Sequence, residues 1–156
     1  MNSRMLVSRK NITRLADGLR RRNLRIVFTN GVFDILHRGH VEYLAKAKSL
    51  GDVLVVGLNS DASAHRLKGR GRPVQNQRDR AVILSALRSV DYVVMFGEDR
   101  PDRLIGQIKP DLLVKGADYK TSEIAGAEFV KSYGGKVRRI GLTPSRSTSH
   151  LLRKLK

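Results

Sequence analysis

Two histidines, His37 and His40, lie three positions apart in the run Thr29-Asn30-Gly31-Val32-Phe33-Asp34-Ile35-Leu36-His37-Arg38-Gly39-His40. On a helix that spacing puts both imidazoles on one face. The apolar, β-branched stretch before them, residues 24–29, predicts a strand, and residues 41–50 carry apolar positions at Val41, Leu44, Ala45 and Ala47 that predict a helix. The pair therefore stands where a strand turns into a helix. A helix N-terminus offers N–H groups and a partial positive charge to an anion. Gly31 permits a sharp turn there, Gly39 leaves room for a phosphate beside the backbone, and two imidazoles can donate to oxygens on which charge develops. The competing readings are a coincidence of two histidines in one helical turn and a loose metal pair. Zinc would need a third ligand, and the chain has no cysteine and no second paired histidine cluster.

Further along, Lys68, Arg70 and Arg72 alternate with Gly69, Gly71 and Pro73, which reads as a basic loop after a strand, suited to a triphosphate. Ser147, Thr148 and Ser149 precede an apolar helical pattern, where hydroxyls cap helices and can also meet phosphate.

These residues must be positioned by a scaffold, and the chain alternates strand and helix patterns. Strands are predicted over 53–58, 92–96, 112–114 and 137–140, and helices over 80–87, 101–108, 124–132 and 148–155. Such alternation implies an α/β fold: a Rossmann-like parallel sheet with helices on both faces, binding ligands at the carboxyl ends of its strands. Residues 9–22 predict a leading helix with a stripe of Ile12, Leu15, Ala16 and Leu19. We divide the chain into a leading helical segment, 1–23, and a domain spanning 24–156.

Composition narrows the class. The 156 residues suit one domain, and 40% are hydrophobic, enough for an ordinary core. No apolar run approaches the roughly 18 residues of a membrane span, and the N-terminus lacks the apolar core of a signal peptide, so a cytoplasmic protein is expected. Thirty-one basic residues face 14 acidic ones, a net charge of +17, and no acidic residue follows Glu128. That balance favours anionic partners. A basic nucleic-acid-binding module is the rival from another class. With aromatics at 5% and no interleaved aromatic platform, no specific nucleic acid is expected.

The run from Thr29 to His40 resembles the signature of the cytidylyltransferase-like nucleotidyltransferases, with its HxGH element. Taken with Asn59-Ser60-Asp61-Ala62-Ser63, Arg66-Leu67-Lys68-Gly69 and Leu113-Val114-Lys115-Gly116-Ala117-Asp118-Tyr119-Lys120, it is most similar to the adenylyltransferase domains of ADP-heptose synthases. The resemblance implies transfer of AMP from ATP to D-glycero-β-D-manno-heptose 1-phosphate, with Mg2+, for lipopolysaccharide core synthesis. A cytidylyltransferase acting on glycerol 3-phosphate or another alcohol phosphate is the near alternative. By resemblance His37, His40 and Lys68 are catalytic. Thr29, Asn30, Gly31, Val32, Phe33, Asp34, Gly39, Arg80, Lys115, Gly116, Asp118, Ser147, Thr148 and Ser149 bind nucleotide. Arg72 and Asp99 are assigned to the sugar phosphate, and Asp34 to the metal. A homodimer is expected. With about 23 residues before the first strand, a separate sugar kinase is implied for the preceding step. The chain departs from the family pattern at Ser145 and Arg146 before the last hydroxyl run, at Arg100 and at Ala117.

Overall fold

In the computed structural model, residues 5–141 and 148–154 are described. Six parallel strands form one sheet in the order β1-β4-β3-β2-β5-β6. In chain order they are β1 (Leu6–Val7), β2 (Ile26–Gly31), β3 (Val53–Asn59), β4 (Tyr92–Phe96), β5 (Leu112–Gly116) and β6 (Lys136–Ile140). The expected α/β architecture is borne out.

Period-two alternation within the strands divides the core into two. Ile26, Phe28, Val53 and Val55 face one side, where they meet Ile12, Ala16 and Leu19 of α1 (Ile12–Arg21) and Leu104, Ile105 and Ile108 of α5 (Asp102–Ile108). Val130 of α6 (Ala127–Ser132) joins the same cluster. Val27, Leu54, Val56 and Leu58 face the other side, against Tyr43, Leu44 and Ala47 of α2 (Arg38–Lys48) and Ala81 and Leu84 of α4 (Gln77–Ser85). Both faces are covered, so all seven residues of central β3 are buried. The apolar stripe of the leading helix covers the protein's own sheet, and Leu6 and Val7 pair with Val93 and Val94 at the sheet edge. The leading segment thus shares its core with the rest of the chain.

Among the strands and α-helices of the described residues, two elements go beyond the sequence expectation. β1 is two residues long, too short to show any period. The other is α3 (Asp61–Lys68), which occupies part of the stretch read as loop. Ser60 caps it by accepting from Ser63 N–H at 3.2 Å, and Asp61 sits in its first turn. That Ser-Asp start was a legible helix signal. Lys68 is therefore the last residue of a helix. The basic loop begins at Gly69, whose φ of +85° suits glycine. The last helix, α7, spans Thr148–Lys154.

From β2 the chain builds outward through β3 to β4, then crosses back to place β5 on the other side of β2. The strand order reverses between β2 and β5, and their carboxyl ends flank the crevice such a reversal creates.

Candidate functional site

A crevice of about 310 Å3 opens at that reversal. Its floor comes from Asn30 and Gly31 at the end of β2 and from Lys115 and Gly116 at the end of β5. Val32, Phe33 and Asp34 form the turn into α2, and His37, Gly39 and His40 line it from the helix start. Lys68 and Arg72 reach it from the far side, with Asp118 and Ser149 at the rim. A larger hollow, about 570 Å3, lies between β1 and α1 and contains none of these groups.

Tight local geometry shapes the turn. A Cβ on Gly31 would lie 3.0 Å from Phe33 Cε2. Phe33 itself has φ +45°, a left-handed conformation costly for an aromatic residue, and such strain concentrates at functional turns. Its ring meets His40 edge-on at 5.4 Å. The two imidazoles stack with centroids 3.9 Å apart.

The histidines differ. His37 caps α2, its Nδ1 accepting from Gly39 N–H at 3.1 Å, which puts the proton of the neutral ring on Nε2. His40 N–H donates to His37 O at 2.9 Å. The start of α2 thus satisfies two of its own N–H groups and presents mainly its dipole to the crevice, where a row of open donors was expected. His40 Nδ1 is buried with no hydrogen-bond partner. Burial, reinforced by His37, pushes His40 down to about 4, so it is a neutral imidazole at physiological pH. A buried, unpartnered ring nitrogen beside a phosphate-sized crevice is costly unless a ligand meets it. The side-chain oxygen of Asn30 is likewise buried and unpartnered.

Lys115 donates to Asn30 O at 2.9 Å and lies 5.3 Å from the centre of the Tyr119 ring. Part of it touches solvent, yet burial pushes its amine down to about 8.

Several expected site residues do other work. Thr29 is fully buried beneath the crevice, its hydroxyl 2.8 Å from that of Tyr43. Arg80 does not line the crevice. It is 1% exposed and donates to Val32 O at 2.6 Å, Asn59 O at 3.0 Å, Gln75 O at 3.0 Å and Asp61 Oδ1 at 2.6 Å. It clamps the segments around the site and leaves little for a nucleotide. Asp99 pairs with Arg66 at 2.7 Å on the surface, away from the crevice lining. Asp34 is 2% exposed, and both carboxylate oxygens already accept hydrogen bonds, from Arg72 Nε at 2.6 Å, Val74 N–H at 2.9 Å and Gln75 N–H at 3.0 Å. A metal there would have to displace these bonds. Among the described residues no group of three His, Cys, Asp or Glu side chains is placed to hold a metal ion. Ser147 lies outside the described residues, and of Thr148 only the backbone, at the start of α7, is described.

Two lining residues escaped the sequence reading, Tyr43 and Tyr119. Tyr43 was legible as His40 plus three, one turn along the same helix face. The signal for Tyr119 was its place in the run from Leu113 to Lys120 that carries the family resemblance.

A parallel sheet whose switch-point crevice gathers stacked imidazoles and cationic side chains defines a nucleotidyltransferase-type domain. The family model described as cytidylyltransferase-like matches residues 28–149, and the chain belongs to that family. It is 53% identical over 150 residues to the bifunctional protein HldE of Wolinella succinogenes, covering 96% of this chain and 31% of that protein. Against HldE of Campylobacter concisus the figures are 58% over 132 residues, 85% of this chain and 27% of the relative. The chain thus spans less than a third of these relatives. Among solved structures, a lipopolysaccharide core biosynthesis protein from Thermoplasma volcanium superposes with a TM-score of 0.63 at 31% identity, over 77% of this chain and 97% of that one. A pantoate-beta-alanine ligase from Francisella tularensis superposes with a TM-score of 0.67 at 18% identity, over 99% and 74%, a likeness of fold.

Proposed function

We propose that this protein transfers AMP from ATP to D-glycero-β-D-manno-heptose 1-phosphate, releasing pyrophosphate, in lipopolysaccharide core synthesis. The observation that carries the reaction class is the neutral His40, its Nδ1 buried without a hydrogen-bond partner and its ring stacked on His37, in a crevice faced by Lys68, Arg72 and Lys115. The choice of ATP and heptose phosphate rests on the 53–58% identity to HldE proteins and on the resemblance to ADP-heptose synthases.

A phosphate oxygen of the sugar attacks the α-phosphorus in line. The new P–O bond forms as the bond to the β-phosphate bridge breaks, and the electron pair leaves with pyrophosphate. No protein nucleophile is required, so the protein supplies position and charge stabilisation. His37 and His40 donate to oxygens that gain charge, and Lys68, Arg72 and Lys115 hold the phosphates. The crevice's carboxylates are the engaged Asp34 and the rim residue Asp118, which do not make a magnesium cage. Magnesium belongs to the substrate as MgATP, held by phosphate oxygens and water.

We assign the upstream phosphorylation of the sugar to a kinase in a separate protein or domain. No described helix is long and apolar enough to cross a membrane. We place the enzyme in the cytoplasm as a homodimer. Since its leading apolar stripe is covered internally, another face would have to form the dimer.

Pyrophosphate release against a panel of triphosphates and acceptor phosphates tests the reading. Release should require ATP, magnesium and heptose 1-phosphate together. Faster turnover with CTP and glycerol 3-phosphate would overturn the substrate and keep the reaction class.

A further inference from the structure

We propose that Asp34 is a positioning residue that aims the Arg72 guanidinium at the phosphates in the crevice and ties the 72–75 loop to the β2–α2 turn. The proposal rests on the reading that this crevice takes a triphosphate. Asp34 follows the strained Phe33, with its side chain 1% exposed. Its carboxylate meets the loop between α3 and α4. There it accepts from Arg72 Nε at 2.6 Å, while the N–H groups of Val74 and Gln75 fill its remaining lone pairs. Burial alone would raise the Asp34 pKa, but the Gln75 and Val74 N–H groups and Arg72 outweigh it and hold it below the ordinary carboxylate range. The charge on Asp34 is therefore permanent near neutral pH.

Arg72 lines the crevice with its side chain 17% exposed. A guanidinium carries five donors in a rigid fork. With Nε bound to Asp34, the Nη edge is left for an anion and is fixed in direction. An arginine held by a carboxylate on one edge grips phosphate with little further ordering cost. Arg80 supports the arrangement from behind, outside the crevice itself. It donates at once to Gln75 O in the loop and to Val32 O in the turn that carries Asp34. Loop and turn are thus cross-braced twice, and Arg72 sits on the open side of the brace.

The test is calorimetric binding of inorganic triphosphate, with a chelator and again with added magnesium, together with melting temperatures, on the parent, Arg72→Ala, Asp34→Asn and the double variant. Loss of a charge-assisted phosphate contact should weaken binding roughly tenfold to a hundredfold in Arg72→Ala. Asp34→Asn should weaken it by a similar factor, and the double variant should be no weaker than Arg72→Ala alone. Added guanidinium should restore affinity to Arg72→Ala but much less to the double variant, a response that a purely structural role would not give. Parent-like affinity in Asp34→Asn, or losses that multiply in the double variant, overturns the proposal. So does a change in magnesium dependence in Asp34→Asn that Arg72→Ala lacks, since Asp34 would then be holding the metal. A parent protein that binds no triphosphate overturns both this proposal and the functional reading. Binding without AMP transfer leaves this proposal standing and refutes the other.

Discussion

His40 makes a quantitative prediction about stability. In the folded protein burial and the neighbouring His37 push its pKa to about 4, against 6.5 for an ordinary histidine. Between these two values the unfolded chain holds a proton that the folded chain does not. Stability therefore rises with pH through this window. The contribution is fully present above 6.5 and lost as pH falls toward 4. At about 1.36 kcal/mol per pH unit, the gap amounts to about 3 kcal/mol. The perturbation is His40→Gln, which keeps a polar side chain of similar reach and cannot titrate. Urea unfolding of parent and variant at about pH 7.5 and about pH 4.5 measures the effect. Asp34, Glu98 and Asp102 are also held below their usual pKa, so both proteins lose stability in acid on their account. These losses cancel in the difference between parent and variant. The parent should lose about 2–3 kcal/mol more than His40→Gln over this interval. Equal losses in the two proteins would refute a buried neutral imidazole at this position.

Replacing His37 or His40 by Ala should lower kcat roughly a hundredfold, as for one lost preorganised donor, with a much smaller change in ATP affinity, whereas Lys68→Ala should weaken both; steady-state kinetics and a direct ATP Kd on folded variants decide it. Arg80→Ala should cost roughly 2–4 kcal/mol of stability, because it strands the buried carbonyls of Val32 and Asn59 and empties the space of an enclosed side chain, measured by denaturant unfolding. Asp99→Ala removes only a surface pair and should change stability by less than about 1 kcal/mol and leave kcat at the parent value. Any binding to duplex DNA should be weak and should fall steeply between low and physiological salt, which titration at several ionic strengths reads directly.

The motif from Thr29 to His40 and the alternation of strand and helix patterns were sufficient to infer a parallel α/β sheet with the His37–His40 turn at a strand end. Local physics explains why. Period-two and helical patterns are set by neighbours in the chain, and both histidines lie within one helical turn of each other. The same locality made the Ser60 cap readable in principle. What each polar side chain does was decided by tertiary structure. Asp34, Arg80 and Asp99 all read as ligand-binding residues, yet Asp34 is held by groups some forty positions away, Arg80 joins the turn after β2 to the loop before α4, and Asp99 is spent on Arg66. A carboxylate or guanidinium is equally suited to a ligand or to a buried brace, and which one it serves depends on the partners that long-range packing delivers. The neutrality of His40 is of the same kind. It comes from desolvation by Phe33 and the surrounding core and from the adjacent ring of His37, a cost that exists only once the sheet and helices have closed around them.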